Sequence, residues 1–164
     1  MPWRSPHLHR SVEILLVEDN PGDVRLMQEA FRENGFVSRL NVARDGEQAI
    51  AMLRKQDPYS DMALPALVLL DLNLPRKKGR DVLAEIKGSD ALRHVPVFII
   101  STSTREEDVL SAYDLQANCY IPKPIDLKGL LDMGKLIEAF WIRLVVLPDE
   151  VRSWPRPPVS QRIS

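Results

Sequence analysis

Five short apolar runs punctuate the chain, and each is followed by a stretch that reads as a loop and a helix. Residues 12–17 (VEILLV), 39–43, 66–70 (ALVLL), 95–100 (VPVFII) and 118–121 are too short for core helices and rich in branched side chains. Runs of this kind are strands buried on both faces. Between them, apolar residues recur at helical spacing. Val24, Met27, Ala30 and Phe31 mark one helical face, and residues 46–53, 79–87, 105–115 and 126–144 supply four more helices. Asn34-Gly35 ends the first helix, and residues 58–64 read as a loop. Strict alternation of short apolar strands with helices predicts an α/β fold, a parallel sheet covered on both faces. Right-handed crossovers leave few arrangements, and the leading one is a flavodoxin-like (βα)5 doubly wound sheet with strand order 2-1-3-4-5.

A chain of 164 residues fits one domain with tails. The boundaries expected are a tail over 1–11, a domain over 12–143 and a Pro-rich arm over 144–164. The net charge of −1 and the lack of a Lys/Arg-rich helix point away from nucleic acid. One cysteine, Cys119, excludes an internal disulfide framework and suits a reducing cytoplasm. No run approaches the roughly 18 apolar residues of a membrane span, and the first ten residues lack a signal-peptide apolar core.

Ligands of such sheets bind outside the carboxyl ends of the strands. Glu18-Asp19 follow the first strand, Asp71 the third, Ser101-Thr102 the fourth and Lys123-Pro124 the fifth. Each alone has a plain explanation as a cap or a turn. Together they place three carboxylates, a hydroxyl and an amine on one sheet edge. Clustered carboxylates repel one another unless a cation intervenes, and an all-oxygen set suits Mg²⁺. A carboxylate can also act as the nucleophile toward phosphorus. In that chemistry Lys123 and Ser101 would contact phosphoryl oxygens.

This set resembles the signature of response-regulator receiver domains. Asp71-Leu72-Asn73-Leu74-Pro75 followed by Gly79 is similar to the family's loop after its phosphorylated aspartate. The resemblance spans roughly residues 12–141. It implies Mg²⁺ held by Glu18, Asp19, Asp71 and the backbone carbonyl of Asn73, and phosphorylation of Asp71 by a histidine kinase. It further implies phosphoryl contacts from Ser101 and Lys123, and Ser101 and Tyr120 as switch residues. Asn73 and Ser103 would flank the site and set the phosphoryl lifetime. Glu18 stands where Asp is common in the family and Ser101 where Thr is common, and both keep the chemistry. The segments EDNPGDVRLM, ARDGEQAI, YDLQANCYIPKPID and IEAFW resemble the small regulators that partner (bacterio)phytochrome histidine kinases. The family implies a signalling protein rather than an enzyme acting on external substrates.

From Leu144 onward 21 residues remain, too few for an output module, so the expected signal is protein–protein contact. At 100° per residue, Leu127, Leu130, Leu131, Ile137, Trp141 and Leu144 share the face expected to be core. Met133, Leu136 and Phe140 form a second stripe, either a partner surface or a face partly buried under the tail. With Val145, Val146, Leu147 and Val151 of the arm, that stripe predicts a homodimer, which the resemblance also implies. Other readings are weighed on single residues. An aspartyl phosphatase would need an acid where Asn73 stands. A nucleotide- or flavin-binding protein would need a Gly-rich loop where Glu18-Asp19 stand. A phosphate-independent dimeric scaffold would have no use for the intact acidic set. His7 and His9 lack ligand partners at zinc-like spacing, and His94 is not promoted to a site. Cys119 is expected to be a small buried residue, Arg76-Lys77-Lys78 a solvated loop face, and Trp3 and Trp154 are left without a role.

Overall fold

A computed structural model describes residues 12–32, 37–142 and 145–148 of the chain. Its elements run β1 (Val12–Val17), α1 (Pro21–Arg32), β2 (Val37–Ala43), α2 (Gly46–Leu53), β3 (Leu67–Asp71), α3 (Gly79–Gly88), β4 (Val97–Ser101), α4 (Glu106–Asp114), β5 (Cys119–Pro122) and α5 (Leu127–Ile137). Among the described residues the strands form one sheet in the order β2-β1-β3-β4-β5, with every pairing parallel. This is the doubly wound, flavodoxin-like order expected from the alternation.

The period of two along each strand divides the core into two layers. Leu15, Val17, Val68, Leu70, Val97 and Ile99 point to one face, where α2 and α3 supply Ile50, Leu53, Val82, Leu83 and Ile86. Ile14, Leu16, Leu67, Leu69, Phe98 and Ile100 point to the other, where α1 and α5 supply Met27, Phe31, Leu130, Met133 and Ile137. Burying one such side chain contributes about 1.5–3 kcal/mol. Helices α1 and α5 approach closely at Gly134, where a Cβ would lie 2.6 Å from Ala30 Cβ.

The strand edges differ slightly from the sequence reading. β4 begins at Val97 rather than residue 95, because Pro96 has no N–H for a ladder and Val95 N–H turns back to the Leu92 carbonyl. The last helix departs more. It stops being α-helical at Ile137 and continues as a π turn over Glu138–Ile142. Its buried line runs through Leu130, Met133, Gly134 and Ile137. Trp141 meets Phe98 edge-on at 4.6 Å.

Three expectations for this helix are therefore corrected. Met133 is a core residue, 7% exposed, and not part of an outer stripe. Leu127, placed in the core from its phase, is exposed in the first turn, and Leu131 is half-buried. Met133 lies only about 40° around the helix from the buried Ile137, so it falls inside the inward arc, while Leu131 falls at that arc's margin. Leu127 shares the phase of Gly134 and is exposed because it stands at the first position of the helix, beyond the cover of its neighbours. Leu136 and Phe140 do lie outside, at 69% and 59% exposure.

Below the sheet, at the amino ends of its strands, Leu147 packs against Val12, Ala66 and Trp141 of its own chain. It is fully buried there, so it does not present itself to a neighbouring copy as the sequence reading expected. The adjoining Pro148 lines a small groove with Pro65, Ala66, His94 and Pro96. Val145 is half-buried. His7, His9, Asn34, Gly35, Leu144, Val151, Trp3 and Trp154 lie outside the described residues. No helix among those described is long and apolar enough to cross a membrane.

Candidate functional site

The parallel register brings the carboxyl ends of β1, β3, β4 and β5 to one edge. Asp71 closes β3 and Ser101 closes β4, both buried. Glu18 follows β1 directly, its N–H bound to the Ala43 carbonyl at 3.0 Å. Lys123 follows β5, and its N–H donates to the Ser101 carbonyl at 2.7 Å. Asn20 turns the chain from β1 into α1, its side-chain oxygen accepting from the N–H groups of Gly22 and Asp23, as an N-terminal cap does.

Carboxylate oxygens of Glu18, Asp19 and Asp71 lie within 4.8 Å of one another. Glu18 and Asp71 are nearly inaccessible, at 4% and 6%, while Asp19 is exposed. Burial pushes the Glu18 carboxyl up to about 7, against the hydrogen bond from Lys123 and with the nearby Asp71 charge adding to the rise. The ammonium of Lys123 reaches Glu18 Oε2 at 2.7 Å, Asp23 Oδ2 at 2.7 Å and Asp71 Oδ2 at 3.2 Å. Burial alone would lower the Lys123 pKa, but hydrogen bonds to Asp23 and Glu18 and the charge of Asp71 outweigh it and raise it.

The loop after β3 is fixed from several sides. Asn73 N–H donates to Asp71 Oδ1 at 2.9 Å, while the Asn73 side chain faces solvent. Gly79 N–H donates to the Leu72 carbonyl at 3.2 Å, and a Cβ on Gly79 would stand 2.3 Å from the Asp71 carbonyl oxygen. Only glycine allows that approach. Arg76 lies near Asp45 and Glu47 at the start of α2, and Lys77 pairs with Glu85. Two residues of the predicted solvated loop face are thus engaged within the molecule.

Across the site, Ser101 Oγ accepts from Ser103 N–H at 3.2 Å, and Ser103 Oγ donates to Asp108 Oδ2 at 2.5 Å. Tyr120 OH donates to the Ser103 carbonyl at 2.8 Å, and Tyr120 N–H donates to Tyr113 OH at 3.2 Å. Ser101, Ser103 and Tyr120 are therefore joined through one loop. Sequence reasoning missed Asp23, Asp108 and Tyr113. Acidic residues are common in the first turn of a helix, so neither Asp23 nor Asp108 stood out. Cys119 is half-buried rather than buried, and desolvation raises its thiol pKa to about 11.

The donor set consists wholly of hard oxygens beside one another, partly buried and open on the Asp19 side, and it fits a Mg²⁺-sized cation. A buried carboxylate with an ammonium 3.2 Å away and a serine closing the neighbouring strand is a constellation for phosphoryl chemistry.

The family comparison agrees. Residues 14–135 match the response regulator receiver domain, and the chain belongs to that family. It is 47% identical to response regulator Rcp1 of Synechocystis over 135 residues, covering 82% of this chain and 92% of that protein. It is 40% identical to the probable methanogenesis regulatory protein FilR2 of Methanothrix harundinacea, over 79% of this chain and 83% of that one. Among solved structures, the Mn²⁺-bound form of Rcp1 aligns with a TM-score of 0.79 at 46% identity, over 84% of this chain and 99% of that one. The phosphorylated cyanobacterial phytochrome response regulator RcpA aligns with a TM-score of 0.80 at 45% identity and the same coverage.

Proposed function

We propose that this protein is a phosphoacceptor switch that receives a phosphoryl group from a histidine kinase on Asp71. The single observation that carries the reading is Asp71 itself: a buried carboxylate grouped with Glu18 and Asp19, with the Lys123 ammonium 3.2 Å away. Glu18, Asp19, Asp71 and the backbone carbonyl of Asn73 would hold Mg²⁺. When bound, the cation supplies neutralising charge for the phosphoryl oxygens. An Asp71 oxygen attacks phosphorus of the phosphohistidine. The P–N bond breaks, the imidazole nitrogen keeps the electron pair and takes up a proton, and an acyl phosphate remains on Asp71. Lys123 and Ser101 each donate a hydrogen bond to phosphoryl oxygens. Water later attacks phosphorus, the P–O bond to Asp71 breaks, and inorganic phosphate leaves with the carboxylate restored. Asn73 and Ser103 flank the path of that water and set its rate.

Ser101 and Tyr120 form the switch. A phosphoryl group drawing on the Ser101 hydroxyl disturbs the Ser103 loop, which Tyr120 holds from the other side. The kinase is of the phytochrome type. The support is likeness to Rcp1, to the phytochrome response regulator RcpA, and to the bacteriophytochrome response regulator AtBRR at 36% identity and a TM-score of 0.66. The protein works in the cytoplasm by protein–protein contact, as a homodimer whose interface includes Leu136, Phe140, Val145 and Val146. The exposure of Leu136 on α5 and of Phe140 in the π turn that follows favours that face.

Incubation with Mg²⁺ and acetyl phosphate tests the central claim. Intact-mass measurement should show one added phosphoryl group on the parent chain and none on Asp71→Asn. An unmodified parent chain would overturn the reading.

A further inference from the structure

The ammonium of Lys123 has three N–H donors and three carboxylates around it. Two of those, Glu18 and Asp71, belong to the acidic group of the site. The third, Asp23, stands outside that group, in the first turn of α1, with its side chain 26% exposed and 2.7 Å from Lys123 Nζ. Lys123 itself is 10% exposed, so these contacts are shielded from bulk water.

The role of Asp23 is not capping. Asn20 already accepts from the N–H groups of Gly22 and Asp23. The Asp23 carboxylate instead reaches across from α1 to the residue after β5, one hundred positions later in the chain. During the phosphoryl cycle the other two partners change. Glu18 would turn to the cation, and an Asp71 oxygen would become the bridging anhydride oxygen of the acyl phosphate. Asp23 alone keeps a free carboxylate for the ammonium throughout.

We propose that Asp23 is a positioning residue for phosphoryl transfer: it anchors the Lys123 ammonium so that one N–H stays aimed at the phosphoryl oxygens on Asp71. The inference rests on the phosphoacceptor reading above. Asp23 touches neither phosphorus nor its oxygens and acts only through Lys123.

The test uses the full chain with Mg²⁺ and acetyl phosphate, and follows phosphorylation rate by intact mass. Asp23→Ala should slow phosphorylation by about ten- to a hundredfold, since misplacing a reacting group by about 1 Å can cost about 10²-fold. Asp23→Asn keeps an oxygen acceptor without the charge and should fall between the alanine variant and the parent. In a Lys123→Ala background, Asp23→Ala should add nothing, because the residue it positions is gone. Mg²⁺-dependent beryllofluoride affinity should follow the same order. Thermal melts keep the comparison among folded proteins, and the near-isosteric Asp23→Asn carries the test if the alanine variant unfolds. A parent-like rate in both Asp23 variants, or an equal fold-loss with and without Lys123, overturns the proposal while leaving the phosphoacceptor reading intact. A parent chain that takes no phosphoryl group overturns both.

Discussion

The phenol of Tyr120 donates its hydrogen bond to the backbone carbonyl of Ser103 at 2.8 Å, which ties β5 to the loop that leaves β4. The next contact in that loop is the Ser103 N–H on Ser101 Oγ. Tyr120→Phe deletes the donor and keeps the ring. It should lower unfolding free energy by about 1 kcal/mol, read from urea titration. It should also blunt the spectral change that beryllofluoride produces in the parent protein.

Ser103 and Asn73 should govern how long the phosphoryl group stays. Ser103→Ala removes the hydroxyl that is bound to Asp108, and Asn73→Ala removes an exposed amide beside Asp71. Each should change the first-order loss of phosphate from the purified phosphoprotein. Unaltered rates in both would remove these two residues from lifetime control.

Gly79→Ala should damage the site through the backbone. The added Cβ would meet the Asp71 carbonyl oxygen at 2.3 Å, and main chain cannot rotate away as a side-chain tip can. A loss of about 1–3 kcal/mol is expected, as for other overpacked positions. Phosphorylation by acetyl phosphate should slow at temperatures where the variant is still folded. Gly88→Ala, with open space around it, is the control.

Stability without Mg²⁺ should depend on pH through Glu18. Its carboxyl rises from the ordinary 4.5 to about 7 in the folded protein. Between those values the folded state binds more protons than the unfolded chain, so stability falls as pH rises through the window. Glu18→Gln should flatten that slope. Mg²⁺, which needs the ionised carboxylate, should raise the melting temperature more at pH 8 than at pH 5, as seen in parallel thermal melts.

Met133 and Phe140 should separate folding from assembly. Met133→Ala opens a cavity between α5 and the sheet and should cost about 2–5 kcal/mol. Leu136→Asp and Phe140→Asp change exposed positions and should leave stability within about 0.5 kcal/mol if measured on the monomer, while shifting sedimentation from dimer to monomer. Sedimentation unchanged in the double variant would exclude this face from the interface.

The strands and the residues at four of their ends were legible because burial on both faces leaves an unmistakable apolar run, and a charged residue at the end of one is costly without a purpose. The phase of α5 was not. A 100° step gives the angles between side chains but not the centre of the inward arc, which the contact of Gly134 with Ala30, far apart in sequence, sets so that Met133 is included; Leu127, in phase with Gly134, is exposed only because it begins the helix. The arm misled for a similar reason. Leu147 is apolar enough for a partner, and only the folded chain shows the recess between Val12 and Ala66 that already takes it. Asp23 was invisible because helix starts are commonly acidic, and nothing local links it to Lys123.

The seating of Leu147 gives the molecule two poles. The acidic group and Lys123 occupy the carboxyl ends of the strands, and Leu147 and Pro148 lie beneath the amino ends. A dye carried on a cysteine put in place of the exposed Pro148 would sit at the opposite end of the strands from Asp71. The phosphoryl donor's approach would stay open, so a label at that position can report on the protein while Asp71 is loaded and unloaded.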